Sequence, residues 1–302
     1  MDSYVIGVDI GGTGTKYGIV DKDGNVLHSS SMATNTHEQV HTYIDELYEK
    51  VSELIEKVGG VGRIKGIGVG APNGNIYTGT IEYAPNLPWK GIIPFAKMLQ
   101  DKFKLPVKLT NDANAAAVGE MMYGAAKGMK DFIMITLGTG VGGAAVIDRK
   151  IFLGGDGNAM EPGHVPSKNG KVLERNVGKK ELLQMANRMR AEYTGETSLP
   201  SDGTISTTAL VVAAEEGDAL AQAIWDEVGT LLGDMLVSLI RILDIKNIFI
   251  GGGLSASFDF IVPSMEKQLN YWLTPAYLEK LTIKKALLGN DAGLLGAASL
   301  CF

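Results

Sequence analysis

Asp112 is the residue whose setting most suggests chemistry. It lies in Thr110-Asn111-Asp112-Ala113-Asn114-Ala115-Ala116-Ala117, after a short strand-like stretch, Val107 to Leu109. A carboxylate there could accept a proton from a substrate hydroxyl, help that is typically worth about 10²- to 10⁴-fold. The competing structural role is capping: Asn111 or Asp112 would hold the first free N–H groups of the helix that the alanines favour. A second candidate is Val8-Asp9-Ile10-Gly11-Gly12-Thr13-Gly14-Thr15-Lys16. Its backbone N–H groups, with the Thr13 and Thr15 hydroxyls, form a concave donor surface suited to phosphate oxygens. Asp9 adds a carboxylate that could hold a hydrated magnesium ion. The plain alternative is a structural hairpin.

Such groups need elements that hold them. Tyr4 to Ile10 and Tyr17 to Val20 have the residue types and length of buried strands. The glycines between them allow a tight turn and a close ligand. A second copy strengthens this reading: residues 136–149 line up without gaps on residues 9–22, placing Gly11 on Gly138, Val20 on Ile147, Asp21 on Asp148 and Lys22 on Arg149. Internal repetition is a fold-level signal. Two such hairpins facing one another would clamp a polyphosphate. Gly138-Thr139-Gly140-Val141-Gly142-Gly143 has the look of a dinucleotide fingerprint, but that motif needs a following helix. Residues 143–147 read as strand, so the dinucleotide reading is set aside.

Composition bounds the class. The 302 residues suffice for two ordinary domains. With 45% apolar and 21% charged residues the chain reads as a soluble globular protein, and no apolar run approaches a membrane span. A formal charge of −6 argues against a nucleic-acid surface, which is usually basic. The single cysteine, Cys301, excludes an intrachain disulfide and a cysteine-rich zinc site. A strand follows the first residues directly, without the pattern of a signal peptide. The expectation is a cytoplasmic protein with neither nucleic acid nor membrane as partner.

Along the chain, a third strand is expected around 25–31. A long amphipathic helix follows, with Val40, Tyr43, Ile44, Leu47, Val51, Leu54, Ile55 and Val58 at three- and four-residue steps, ended by Gly59-Gly60. His37-Glu38-Gln39-Val40-His41 at its start matches a zinc-protease pattern but lies at a helix end and lacks an obvious third ligand. Residues 65–70 read as strand. The loop from Ala71 to Gly91, rich in Gly, Asn and Pro, is long for a connector, which hints at a binding or covering role. Helices are expected over 92–104, 180–189, 207–216, 218–243 and 292–300, and a buried strand over 247–250.

The motifs together carry a resemblance. Asp9-Ile10-Gly11-Gly12-Thr13 with Lys16, the loop Pro85-Asn86-Leu87-Pro88-Trp89-Lys90-Gly91, Asn111-Asp112-Ala113-Asn114, Leu137-Gly138-Thr139-Gly140-Val141-Gly142-Gly143, Glu161-Pro162-Gly163-His164 and Ile250-Gly251-Gly252-Gly253-Leu254-Ser255 resemble the ROK sugar kinases, the bacterial glucokinase group among the actin/hexokinase/Hsp70-like ATPases. They stand in family order over nearly the whole chain. The resemblance implies an α/β fold of two ribonuclease-H-like (actin-like ATPase) domains around a central cleft. The smaller would be residues 1–111 plus 291–302 and the larger residues 112–290. It implies ATP and magnesium as cofactors and a hexose as substrate, phosphorylated generally on C6. Glucose leads, with an N-acetylhexosamine or fructose as alternative, and the assembly would be a homodimer or homotetramer. Asp112 would be the base, and Asn111, Asp112, Glu161, His164 and Glu174 would hold the sugar. Asp9, Gly11, Gly12, Thr13, Lys16, Gly138, Thr139 and Gly140 would hold ATP phosphates, with magnesium on Asp9 through water. Gly251, Gly252 and Gly253 would lie against adenosine, where glycines after an apolar run permit close approach to a flat base. The division is chemically sound: phosphoryl transfer relies on positioning and charge neutralisation, and a hydroxyl-rich sugar suits carboxylates and amides.

Residues 156–178 depart from the family pattern. Its members commonly follow Gly-His with Cys-x-Cys-Gly-x-x-Gly-Cys-x-Glu, a zinc knob completed by that His. Here Gly163-His164 is followed by Val165-Pro166-Ser167-Lys168-Asn169-Gly170-Lys171-Val172-Leu173-Glu174. The segment is shorter and has no cysteine, so zinc with thiolate ligands is not expected. His164 is left as a sugar ligand without its metal or as a loop histidine. Two other uses of the fold compete. A sugar-responsive transcription regulator would carry an N-terminal helix-turn-helix domain, for which Asp9 leaves no room. A sugar-binding protein that no longer phosphorylates is suggested by the lost knob.

Overall fold

The computed structural model describes residues 3–302. Residues 1 and 2, where the expected smaller domain begins, lie outside them. The two apolar runs at the start form β1 (Tyr4–Ile10) and β2 (Gly14–Val20), paired antiparallel. Asp21 then closes a turn by accepting the N–H groups of Asp23 and Asn25, each at 2.9 Å, and β3 (Val26–Ala33) follows. In α1 (Val40–Lys57) the residues at three- and four-step spacing, Tyr43, Ile44, Leu47, Val51, Leu54 and Ile55, are the buried ones.

The chain continues through β4 (Ile64–Ala71), β5 (Gly74–Asn75), β6 (Thr80–Glu82), β7 (Ile92–Ile93), α2 (Phe95–Phe103), β8 (Val107–Asn111) and α3 (Asp112–Tyr123). The helix expected from Ile92 starts only at Phe95. Pro94 disfavours helical backbone at the residue before it, and Ile92 and Ile93 pair instead with Glu82 and Ile81 in a small sheet of order β5-β6-β7. Next come β9 (Phe132–Leu137), β10 (Val141–Ile147), β11 (Lys150–Ile151), α4 (Glu174–Val177), α5 (Lys179–Glu192), α6 (Thr207–Glu215), α7 (Ala219–Leu243), β12 (Asn247–Gly251), α8 (Phe258–Trp272), α9 (Pro275–Leu278), β13 (Thr282–Lys285) and α10 (Ala292–Ser299).

Two five-stranded sheets repeat one plan, β3-β2-β1-β4-β8 and β11-β10-β9-β12-β13. In the first, β1, β4 and β8 are parallel and β2 and β3 antiparallel. In the second, β9, β12 and β13 are parallel and β10 pairs antiparallel with β11. The chain forms two compact units: one runs to Lys130 and adds Ala144–Ala159 and Asn290–Phe302, the other holds Asp131–Gly143 and Met160–Gly289.

In the first unit, small residues bring α10 hard against its neighbours. A Cβ on Gly68 would overlap the Ala297 carbonyl, and one on Gly296 would overlap the Ala115 carbonyl. The helix therefore lies on β4 and on α3 at backbone distance. In the second unit α7 packs on α8, with Ile261 and Ser264 against Gly229 and Met265 against Gly233. The α7 cap is Asp218, whose carboxylate accepts the Leu220 and Ala221 N–H groups at 3.0 Å. Among the described residues no helix is long and apolar enough to cross a membrane.

Candidate active site

In the first unit Asp9, Gly70 and Thr110 sit side by side at the carboxyl ends of the parallel strands β1, β4 and β8, where open α/β sheets place their ligands. The loop after β1 is Gly11-Gly12-Thr13, closed by the Gly11 N–H donating to the Gly14 carbonyl at 2.9 Å. The Thr34 N–H donates to the Thr13 carbonyl, also at 2.9 Å, and ties the loop to the end of β3. A Cβ on Gly12 would stand 2.7 Å from the Asn86 carbonyl oxygen, so the loop of residues 84–91 rests directly on this turn. That loop is anchored by its own apolar residues. Ala84, Leu87 and Trp89 are buried, the Trp89 ring stacks on Phe95 at 5.9 Å and lies 4.7 Å from Tyr43, and its Nε1 donates to the His37 carbonyl at 3.1 Å.

Thr13 is exposed, but Thr15 is 1% exposed and hydrogen-bonds Thr34 Oγ1 and Tyr43 OH, each at 2.8 Å. Strand alternation turns position 15 into the core. Thr15 is therefore not a phosphate donor, a correction to the sequence expectation that grouped it with Thr13. His37 lies before α1, with its Nε2 hydrogen-bonded to Glu46 Oε2 at 2.7 Å. Among the described residues no group of three or more His, Cys, Asp or Glu is placed to hold a metal ion.

At the start of α3 two neighbouring side chains meet backbone N–H groups. Asn111 is the cap of α3: its Oδ1 accepts the N–H groups of Ala113 at 2.8 Å and Asn114 at 3.4 Å. Asp112, half-buried, accepts the Ala113 N–H at 2.9 Å on Oδ1. Gly70 lies between the two carboxylate residues, close under α3: a Cβ there would stand 2.8 Å from Ala115 Cβ, 3.7 Å from Asp112 Cα and 3.8 Å from Asp9 Oδ1. Burial pushes the Asp9 carboxyl up to about 7, the charge of Asp112 adds to the rise, and Lys16 opposes it. Lys16 forms an ion pair with Asp291 just before α10, and Gly293 of that helix lies against the Asp9 carboxylate. Neither contact was legible from motif spacing, although a lone acid before a small-residue helix is a signal that could have drawn attention to Asp291. Two neighbouring carboxylates form a hard-oxygen donor set. Hydrated magnesium fits that chemistry.

In the second unit the loop after β9 is Gly138-Thr139-Gly140, closed by the Gly138 N–H donating to the Gly140 carbonyl at 3.0 Å. Glu174, at the start of α4, accepts the Val141 N–H at 3.0 Å on Oε2, and its carboxylate fills the space a Gly140 side chain would need. The Lys179 N–H donates to the Gly138 carbonyl at 3.1 Å. Gly251, level with Thr136 at the ends of β12 and β9, is buried under Met134 and Ala286. Gly252 has φ +87 and its Cβ position overlaps the Leu137 carbonyl, so only glycine fits there. Gly253 is exposed with open space beside it. Glu161 and His164 flank a short 3-10 turn, with Nδ1 of His164 3.5 Å from Glu161 Oε2. Where the family pattern has its zinc knob, Pro166 bridges to Val172 and the Leu173 N–H donates to the Val165 carbonyl at 3.0 Å. A small closed loop thus delivers Glu174 to the turn.

The structure brings together Asp9, Gly11, Gly12, Thr13, Lys16, Asn111 and Asp112 in one unit. In the other it holds Gly138, Thr139, Gly140 and Glu174 at one turn, with Gly251, Gly252 and Gly253 beside Leu137 and with Glu161 and His164 on the adjoining loop. A model of the ROK family matches residues 5–302. This chain belongs to the ROK family of sugar kinases. The ROK protein is 32% identical to a glucokinase of Halalkalibacterium halodurans, over 99% of this chain and 95% of that one. It is 33% identical to a glucokinase of Streptomyces coelicolor, over 98% and 96%. Its structure is similar to the crystal structure of a ROK family glucokinase from Streptomyces griseus in complex with glucose and AMPPNP, with a TM-score of 0.83, 30% identity and 99% of each chain covered. The fold is thereby of the two-domain, ribonuclease-H-like, actin-like ATPase class.

Proposed function

We propose that this ROK protein is an ATP-dependent hexose kinase that converts glucose to glucose 6-phosphate, with Asp112 as the general base. The observation that carries the reading is the place of Asp112 at the start of α3: Asn111 supplies the cap, and the half-buried Asp112 carboxylate stands close enough to Asp9 for its charge to raise that acid. In the reaction Asp112 takes the proton of the C6 hydroxyl as that oxygen bonds to the γ-phosphorus. The bond from phosphorus to the β-phosphate oxygen breaks, and ADP leaves. Asn111, Glu161, His164 and Glu174 would hold the remaining hydroxyls. The N–H groups of Gly12, Thr13, Thr139 and Gly140, with Lys16, would orient the phosphates on the turns that Gly11 and Gly138 close, and Gly251–Gly253 would take the adenosine. Magnesium, held through water by Asp9, would supply neutralisation of phosphate charge. Such an enzyme would work in the cytoplasm as a homo-oligomer.

The experiment is coupled ADP release across a panel of glucose, fructose, mannose and N-acetylated hexosamines, with Asp112→Ala beside the wild type. Glucose is expected to give the highest kcat/KM and the variant to lose nearly all turnover. Full activity in Asp112→Ala would remove the assigned base. A sugar that binds by calorimetry yet is never phosphorylated would make the chain a binding protein instead.

A further inference from the structure

We infer that Glu174 is a positioning residue for the second phosphate turn, and that its carboxylate fixes Gly138–Gly140 in the form that receives the nucleotide. This rests on the kinase reading above but adds a role that a sugar ligand does not have. The two hairpins are braced differently. In the first, β3 pairs with β2 along its length, up to Gly14 opposite Ala33, and the Thr34 N–H reaches past it to Thr13. In the second, β11 is two residues long. Its pairs are Val146 with Ile151 and Ile147 with Lys150, extended only by the Phe152 N–H donating to the Ala145 carbonyl. The start of β10 lacks the neighbour that the start of β2 has.

Glu174 stands where that neighbour is missing. Its Oε2 accepts the N–H of Val141, the first residue after the turn, and the Val141 carbonyl is covered by Gly163. The segment beginning at Glu174 grips the turn elsewhere too. A Cβ on Gly178 would stand 2.9 Å from the Thr139 carbonyl, and the Lys179 N–H donates to the Gly138 carbonyl. A hydrogen bond to a charged acceptor is among the stronger ones. A carboxylate has a second oxygen, so holding the turn and meeting a sugar hydroxyl are compatible. The loop that departs from the family pattern thus ends in the brace for a nucleotide-side element.

The test compares Glu174→Ala with Glu174→Gln, whose amide oxygen can still accept the Val141 N–H. Amide hydrogen exchange in the ligand-free enzyme is expected to quicken about tenfold or more at Val141 in the alanine variant and to stay near wild type in the glutamine variant. AMPPNP binding measured by calorimetry without sugar should weaken about tenfold in Glu174→Ala, with rescue in Glu174→Gln. Gly140→Ala, which displaces the carboxylate without deleting it, should raise Val141 exchange as well and serves if the alanine variant does not fold. Unchanged exchange at Val141 in the alanine variant, or in Gly140→Ala, would overturn the inference, as would a loss confined to glucose binding. If wild type binds no AMPPNP, the kinase reading falls, and the exchange comparison still decides the brace.

Discussion

The two glycine hairpins agree residue for residue in where their strands stop and start, yet they differ in charge. Ile10 and Leu137 end the first strands, Gly14 and Val141 open the second, and Val20 and Ile147 close them. But Asp9 aligns with Thr136, and Lys16 with Gly143. The first hairpin therefore carries a partly buried acid and its countercharge, whereas the second has neither at the matching positions and borrows Glu174 from outside the repeat. The backbone cradle is shared, and the acid–lysine pair stands in the first hairpin. On the proposed mechanism, proton transfer and cation binding would fall to the first unit, and neutral N–H donation to the second.

The largest effect is expected at Asp112. If acid–base work resides in the first unit, Asp112→Asn lowers kcat by about 10²- to 10⁴-fold and leaves glucose affinity by calorimetry within about threefold, because an amide can still hydrogen-bond a hydroxyl. A variant that loses binding and keeps kcat would move the base elsewhere.

Asp9 offers the next largest signal, in stability without metal or nucleotide. Its folded pKa, about 7, lies above the ordinary aspartate value of 3.8. Between those values the unfolded chain has released the proton and the folded one still holds it. The contribution is thus fully present below about pH 4 and is lost as pH rises to about 7, a change on the order of 4 kcal/mol. Acids such as Asp21 and Asp202 have lowered values and drive stability the other way. The test is therefore the difference between wild type and Asp9→Asn in urea unfolding at several pH values. That difference should grow in favour of the variant from acid to neutral pH. Parallel curves would show that Asp9 is not the titrating group, and the contrast with Thr136 would lose its meaning.

The walls of the two turns differ in kind. An added methyl at Gly12 meets the backbone carbonyl of Asn86, in a loop pinned by Trp89, whereas one at Gly140 meets the end of the flexible Glu174 side chain. Gly12→Ala should destabilise by about 1–3 kcal/mol, and Gly140→Ala by less, since a side chain can swing aside. Equal shifts in urea midpoint would mean that both walls yield alike.

What could be read ahead of the structure follows the range of the forces involved. The strand–turn–strand units were legible nearly to the residue because apolar runs and glycines act locally. The α1 stripe was legible for the same reason. The start of α2 was misplaced by a short pairing, Ile92 with Glu82, that competes with helix and leaves no periodic trace. At the site, residue types were legible and partners were not. Thr15 looked like Thr13 until the pleat turned one inward. Asp291 reaches Lys16 across 275 positions of chain, and Glu174 reaches Val141 across 33. No local pattern encodes such pairings.

The smallest effect tests the countercharge. The Lys16–Asp291 pair is partly exposed, at 33% and 50% for the two side chains, so Lys16→Met should change stability by about 1 kcal/mol or less. Its influence on chemistry should be visible all the same. Lys16 holds the Asp9 carboxyl below where burial and Asp112 alone would place it. Removing that charge raises the Asp9 pKa further, so the acid limb of the kcat/KM profile for nucleotide, which reports the free enzyme, should move to higher pH. The same limb should be absent in Asp9→Asn. A Lys16→Met profile that keeps the wild-type limb would show that Asp291, and not Asp9, is the group this lysine serves, and the charged side of the comparison would reduce to Asp9 and Asp112 alone.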